Sequence, residues 1–179
     1  MRGENGDILI TIIGIIIAVF LMLFVPLMAV ANNQEDVAQL AAQEETQEFV
    51  NKIATKGTIT QDDLDTFLQS LSKDGNSYEF EIEVQILDEN PGKKASVTSG
   101  DLIGENVRYS EFTQAILKYF EDHPGGKYKL KKGDNIIVRV NNTNTTLAQL
   151  LRNFAYKVVG KDTYQIGASA SAMVQNNGK

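Results

Sequence analysis

The first feature of the hydropathy pattern is one long uncharged run near the N-terminus. Between Asp7 and Glu35 no side chain carries a charge, and from Ile8 to Ala31 the only polar side chain is Thr11. A helix over this run is ~36 Å long, which is enough to cross the ~30 Å hydrocarbon core of a bilayer with some tilt. Isoleucines cover every face of the run, whereas a helix on a soluble domain keeps a polar stripe. We therefore predict a transmembrane helix over residues 8–31.

A polar helix is predicted to continue directly from this run. Residues 32–56 contain neither Gly nor Pro and are rich in Ala, Gln and Glu, which favour helix. The prediction is one long helix, apolar in its first half, amphipathic in its second half and bent at Pro26. The amphipathic half has two possible roles. It packs either on the following domain or on other subunits. Its narrow apolar stripe, at three- and four-residue spacing, consists of Ala38, Ala42, Thr46, Phe49 and Ile53.

The pattern of residues 57–179 predicts a small soluble domain with an antiparallel sheet and packed helices. Together with the long N-terminal helix, this makes the whole chain an α+β protein. Strict alternation from Tyr78 to Ile86 predicts a half-buried strand with glutamates on its solvated face. Thr60 is expected to cap a helix with Leu64, Phe67, Leu68 and Leu71 inside. The predicted divisions are a short N-terminal leader or cytoplasmic end over 1–7, the transmembrane helix over 8–31, the amphipathic extension over 32–56 and the soluble α+β domain over 57–179.

Further elements follow from the same patterns. A turn and a long loop are expected over residues 88–107 because of their Pro and Gly content. The remaining predictions are a helix capped by Ser110 with Phe112, Ile116, Leu117 and Phe120 inside, a strand over Ile136–Val140, a helix after Thr146 with Leu147, Leu150, Leu151 and Phe154, and a last strand from Tyr164 to Val174.

Composition narrows the classes of function. The chain has 179 residues, with 17 Lys and Arg against 23 Asp and Glu, so its net charge is -6. An acidic chain with no basic cluster lacks the patch that neutralises nucleic-acid phosphates or docks on anionic lipid. Membrane association is therefore expected by insertion, and no nucleic-acid partner is expected. The absence of cysteine excludes disulfides, thiolate catalysis and cysteine-ligated metals.

No pattern in the sequence predicts catalysis. No nucleophile–base pair, metal-ligand cluster or phosphate loop stands out. His123 is the only histidine, and because Pro124 and Gly125 follow it we interpret it as a helix-end residue. We expect no enzyme activity, no cofactor and no metal site.

The apolar run is expected to be retained. Small residues at Ala29 and Ala31 form a signal-peptidase pattern that would release a secreted domain after Ala31. The stretch before Pro26 is nevertheless longer than the apolar core of a signal peptide, and Arg2 is accompanied by nearby acids. The positive-inside tendency places the N-terminus in the cytoplasm and the large domain outside the cell, because no Lys or Arg follows the run until Lys52.

The opening residues carry a resemblance to a known family. Arg2-Gly3-Glu4-Asn5-Gly6-Asp7-Ile8 resembles the start of TadE-like minor pilins, and residues 57–60, 76–78 and 140–147 are similar to pilin-like membrane proteins of Gram-positive conjugative or secretion loci. The resemblance implies a structural subunit of a surface appendage or of a secretion or conjugation machine, whose partners are the membrane and copies of itself or other pilin-like subunits. The alternatives are a single-pass accessory protein with an extracellular partner-binding domain, and the secreted domain.

The same resemblance implies cleavage by a prepilin peptidase after a glycine. A cut after Gly6 would leave Asp7 first and put Thr11 where pilins carry an assembly glutamate, whereas a cut after Gly3 would put Asp7 and Ile8 there. Gly14 and Ala18 form a small-xxx-small pair that suits helix packing in an apolar setting. The residues expected to serve helix packing and assembly are Asp7, Thr11, Gly14, Ala18, Pro26, Ala38, Ala42, Phe49 and Ile53; those expected at processing sites are Gly3, Gly6 and Ala31.

Overall fold

The computed structural model describes residues 4–87, 108–156 and 166–178, apart from the side chains of residues 4–6 and 154–156. The chain divides into two compact units, one holding residues 1–38 and 145–164, the other residues 39–144 and 165–179. The elements are α1 (Glu4–Lys56), β1 (Thr58–Ile59), α2 (Gln61–Leu71), a 3₁₀ turn (Ser72–Asp74), β2 (Tyr78–Leu87), β3 (Arg108–Phe112), α3 (Thr113–Asp122), β4 (Tyr128–Lys129), β5 (Asn135–Asn142), α4 (Leu147–Tyr156) and β6 (Gly167–Met173). The predicted α+β class is confirmed.

The N-terminal helix α1 is a single element of 53 residues that continues through Pro26. The bend expected at Pro26 stays a prediction. The helix ends at Lys56 and is followed by Gly57, whose φ of +70° is the left-handed conformation that glycine adopts without a Cβ penalty. The Gly57 N–H donates to the Ile53 carbonyl at 2.7 Å, so an otherwise unpaired carbonyl of the last turn is satisfied.

Helix α2 begins as the sequence predicts. The Thr60 hydroxyl accepts from the Asp63 N–H at 3.2 Å, and the Asp63 carboxylate accepts from the Thr60 N–H at 3.1 Å. This reciprocal capping box satisfies two N–H groups that the first turn would leave unpaired. Leu64, Phe67 and Leu71 are buried as predicted, and Leu68 is half-buried.

The main sheet has the strand order β3-β2-β5-β6, with antiparallel neighbours throughout. Ile82 pairs with Val138, which in turn pairs with Ala170, so the centre of the sheet is apolar and buried. On the opposite face Arg139 lies 3.2 Å from Glu83. The half-buried strand with an acidic outer face is confirmed.

The start of the third helix was predicted wrongly. Ser110 does not cap a helix but lies in β3, where it pairs with Gln85. The ladder to β2 keeps the backbone extended as far as Phe112, so the helix begins only at Thr113. Phe112 and Leu117, both expected inside, are 48% and 43% exposed, whereas the predicted Ile116 and Phe120 are buried.

Helix α4 exists where it was predicted, but its buried face is a different one. Leu147 and Leu150 were expected inside and are 47% and 56% exposed. Ala148 and Gln149 are buried instead, because α4 turns its polar side chains toward α1. Leu151 is half-buried, and the side chain of Phe154 lies outside the described residues.

The last described segment, residues 166–178, contributes strand β6 to the second unit. The last strand, predicted from Tyr164 to Val174, is β6 (Gly167–Met173), in which Ala168 and Ala170 are buried and Ala172 is half-buried. Ile166 and Val174 on either side of it are buried, and the predicted Ile136–Val140 strand lies within β5. The sequence did not predict the small β1–β4 sheet, because two-residue strands show no periodicity. Tyr164 and the loop expected over residues 88–107 lie outside the described residues.

Candidate membrane helix and its packing surfaces

Most side chains in the apolar half of α1 are exposed within the described residues, whereas Phe24 and Met28 are half-buried and Ala31 is buried. Its large side chains between Ile8 and Val30 include exposures from 46% at Leu27 to 78% at Met22. No residue of its most apolar stretch is buried, and the helix is long and apolar enough to cross a membrane. An exposed apolar surface of this extent is typical of sites that contact a membrane or another protein.

The polar side chain in this half is hydrogen-bonded within the helix. Thr11 is its one polar side chain after Asp7, and the Thr11 hydroxyl donates to the Asp7 carbonyl at 2.8 Å. A hydroxyl bonded within its own helix can enter a hydrocarbon phase without an unpaired donor. The predicted assembly residues Asp7 and Thr11 are therefore neighbours one turn apart on an exposed surface.

The predicted small-residue pair lies on open surface. A Cβ placed on Gly14 would meet no heavy atom within 4 Å, and Ala18, one turn later, is also exposed. Another helix could approach the backbone closely at these two positions. Pro26 is exposed as well, and its missing N–H leaves the Met22 carbonyl without its usual helical donor.

A buried ion pair follows the apolar run in the first unit. Arg152 of α4 donates to the Glu35 carboxylate through Nη2 and to Asn32 Oδ1 through Nη1 at 3.0 Å. The Thr146 hydroxyl donates to Glu35 Oε1 at 3.0 Å. The Glu35 side chain is only 3% exposed, so its charge is compensated by Arg152 rather than by water. Sequence reasoning missed this pair; the signal was a capping box at Thr146 and Gln149, followed by Arg152 on the same face.

The amphipathic half of α1 buries the predicted stripe within the chain. Ala38, Ala42 and Thr46 are at most 5% exposed, and so are Phe49 and Ile53. Phe49 stacks on Phe67 of α2 with ring centroids 4.4 Å apart. Of the two roles that the sequence left open, domain packing is the one that this burial supports, because a buried side chain is not available to another subunit.

Two glutamines of α1 close the free edge of the main sheet. Gln39 accepts from the Gly167 N–H at 2.9 Å and donates to the Gly167 carbonyl. Gln43 repeats the arrangement one turn later with the N–H and carbonyl of Ser169, at 3.4 and 3.1 Å. Each side-chain amide takes the place of a peptide group of a further strand. The sequence showed only that glutamine is common in this helix.

The three candidate processing residues lie in different surroundings. Gly3 is outside the described residues, and Gly6 lies in the first turns of α1. Ala31 is 2% exposed and lies in the middle of α1. A cut after Ala31 would divide a continuous helix just before the buried Glu35. Retention of the apolar run stays a prediction.

Sites for small ligands are not conspicuous in the part of the chain that the structure describes. No group of three or more potential metal-ligating side chains occurs there. The surface depressions are open, and one of them is lined by Tyr109, Tyr119 and Tyr128. Comparison with protein-family models, with curated proteins and with solved structures finds no match to this chain.

Proposed function

We propose that this chain is a single-pass membrane protein that acts as a pilin-like structural subunit of a surface appendage or of a secretion or conjugation machine. In this proposal the N-terminus is cytoplasmic and the sheet domain lies outside the cell. The observation that carries the proposal is the continuity of α1, in which an apolar segment with mostly exposed side chains passes without a break into a helix with a buried stripe.

The exposed apolar segment is suited both to the membrane, where a subunit resides before assembly, and to the assembled structure. In the membrane, lipid covers residues 8–30, and in an assembly neighbouring apolar helices would replace lipid. Gly14 and Ala18 offer the closest approach for such a neighbour, since neither has protein within reach of a side chain in the described structure.

Two of the residues predicted to serve assembly do not take part in the proposed contact between subunits. Phe49 and Ile53 are 5% and 0% exposed in the single chain, so their side chains belong to the core of the second unit. We therefore propose intermolecular packing through the apolar half of α1, with the amphipathic half holding the domain.

Single-cysteine crosslinking tests this proposal directly, because the chain has no cysteine of its own. Gly14→Cys and Ala18→Cys place one thiol each on the small-residue face. Ile16→Cys and Phe20→Cys are the matched controls, since two residues correspond to about 200° around a helix. Oxidation of native membranes or recovered appendages should give disulfide-linked dimers for the first pair and few for the second.

The other outcomes favour the alternatives. Dimers in equal yield from all four variants would indicate random collision, and dimers in none would favour an anchored accessory protein that does not polymerise. The intact mass of the same material identifies the N-terminus. A chain beginning at Glu4 or Asp7 supports pilin-type processing, one beginning at Asn32 contradicts the proposal, and an uncut chain leaves the crosslinking result to decide.

A further inference from the structure

The described side chains of α4, residues 147–153, place Gln149 and Arg152 inward and two leucines outward, where Asn153 is exposed as well. Gln149 is 6% exposed and the Arg152 side chain 13%, whereas Leu147 and Leu150 are 47% and 56% exposed. A surface helix in water shows the opposite arrangement, with leucines inside and charges outside. The outward face of α4 therefore suits an apolar surrounding.

The contacts of α4 fix where this face lies along α1. Arg152 bonds Asn32 and Glu35, and the Thr146 hydroxyl bonds Glu35 as well. Asn32 directly follows Ala31, the last residue of the apolar run, and Glu35 comes one turn later. At about 1.5 Å per residue, these contacts lie within ~6 Å of the end of the apolar segment.

We propose that the outward face of α4 lies in the lipid–water interface of the same bilayer that α1 crosses. The inference rests on the proposed membrane insertion of α1 and names lipid as the second surface that the first unit contacts. Interfacial helices bury their apolar face by about 5–10 Å at the boundary between headgroups and acyl chains. The position of α4 beside Asn32 and Glu35 agrees with that depth.

The chemistry of the face indicates which lipids it accepts. Arg152 is the charged residue of the described α4 side chains, and Glu35 neutralises it. Binding then depends on insertion of Leu147 and Leu150 and does not need anionic headgroups. A second protein copy fits this face less well, because two half-exposed leucines offer far less than the ~800 Å² per partner that a stable protein interface buries.

Tryptophan fluorescence tests the inference, because the chain contains no tryptophan. Leu150→Trp and, as a second variant, Leu147→Trp each introduce one exposed reporter on α4 of the full chain. The protein is reconstituted into phosphatidylcholine vesicles with and without phosphatidylcholine brominated near the headgroup end of its acyl chains. We expect blue-shifted emission that the brominated lipid quenches for both variants.

Two matched variants separate the inference from the proposed function. Leu117→Trp replaces a 43%-exposed leucine on α3, a helix of the same length as α4, and should emit as in water without quenching. Phe20→Trp reports on α1 and should be quenched by lipid brominated deeper in the acyl chain.

Each result supports or overturns one statement. If Phe20→Trp is not quenched, membrane insertion itself fails. If Phe20→Trp is quenched while both α4 reporters emit as in water, the interfacial position of α4 is wrong. Blue-shifted α4 emission without quenching by lipid would mean that protein covers this face, which also overturns the inference.

Discussion

Lys56 and Asp63 join the last turn of α1 to the first turn of α2 through a hydrogen-bonded ion pair of 2.6 Å. Lys52 approaches the other carboxylate oxygen at 3.1 Å, and the Thr60 hydroxyl donates to Asp63 Oδ2 at 2.6 Å. The Asp63 side chain is only 4% exposed. Burial raises the pKa of this carboxyl, but the hydrogen bonds from Lys56, Thr60 and Lys52 outweigh it and lower the pKa from 3.8 to about 2.

The first prediction concerns acid stability. Because the folded pKa of Asp63 is depressed, its contribution is complete above the unfolded pKa near 4 and is lost as the pH falls toward 2. We expect at most about 2 kcal/mol from this group, since both lysines are partly exposed and solvent screens them.

Asp63→Asn should lower the free energy of unfolding at pH 7 and flatten its pH dependence between about pH 4 and pH 2. The measurement is chemical denaturation of the full chain in detergent, followed by circular dichroism across this pH range. Asp62→Asn, at an exposed position of the same turn, is the control and should keep the wild-type pH profile. A wild-type profile in Asp63→Asn would contradict the assignment.

The second prediction concerns the aromatic contact between α1 and α2. Phe49 stacks on Phe67, which meets Phe80 of β2 edge to face at a centroid distance of 6.4 Å. Phe49→Ala should reduce the free energy of unfolding by about 3–5 kcal/mol, because it leaves a cavity in a packed core. Leu40→Ala, at a 68%-exposed leucine of the same helix, should change it by less than about 0.5 kcal/mol. Thermal unfolding compares the two, and a stable Phe49→Ala domain would return Phe49 to the candidate assembly residues.

The third prediction concerns the end of α1. A Cβ on Gly57 would lie 2.2 Å from the Asn176 carbonyl oxygen, and φ there is +70°. Gly75 has a similar φ of +81°, but a Cβ on it would meet nothing within 4 Å. Gly75→Ala should cost about 1–2 kcal/mol from backbone strain alone, and Gly57→Ala clearly more. Equal losses in melting temperature would mean that the close approach of residue 176 is unimportant.

The fourth prediction concerns the edge of the main sheet. The double variant Gln39→Ala, Gln43→Ala removes the side-chain amides that pair with Gly167 and Ser169. Unpaired edge strands recruit other strands, so light scattering at a temperature below the unfolding transition should show faster aggregation. Gln47→Ala, which removes only a local bond to Asn51, should aggregate at the wild-type rate. Identical rates for both variants would show that the edge needs no cover.

The fifth prediction concerns the buried pair of the first unit. Arg152→Ala leaves the Glu35 carboxylate buried without its cation, at a cost of about 3–5 kcal/mol, and α4 should exchange its amide hydrogens faster. The double variant Glu35→Leu, Arg152→Leu removes both charges and should restore much of the protection. Fast exchange in the double variant as well would show that the bonds, rather than charge compensation, hold α4.

The sequence predicted those parts of the molecule in which one strong periodicity acts alone. The apolar run, the stripe from Ala38 to Ile53, the capped helix after Thr60 and the alternating strand from Tyr78 are all of this kind. Predictions failed where contacts distant in sequence decided the outcome. The ladder to β2 overrides the capping preference of Ser110, and Glu35 turns α4 by attracting Arg152.

Of the candidate packing surfaces, only the exposed apolar half of α1 was predictable from the sequence. Gly14, Ala18 and Thr11 lie on exposed surface, and their roles in helix packing stay predictions. The pairing of Gln39 and Gln43 with a strand more than a hundred residues later has no local signature, because amide side chains in helices are usually solvated.

The contacts between α1 and the C-terminal strand have a consequence for the order of events in the cell. Besides the two glutamine pairs, the Gln175 N–H donates to the Ala54 carbonyl at 2.8 Å, and Asn176 Nδ2 donates to the Thr55 carbonyl at 2.8 Å. Residues 166–178 are synthesised last among those described, whereas α1 is synthesised first. The amphipathic half of α1 therefore lacks its final partners until residues 166–178 have left the ribosome.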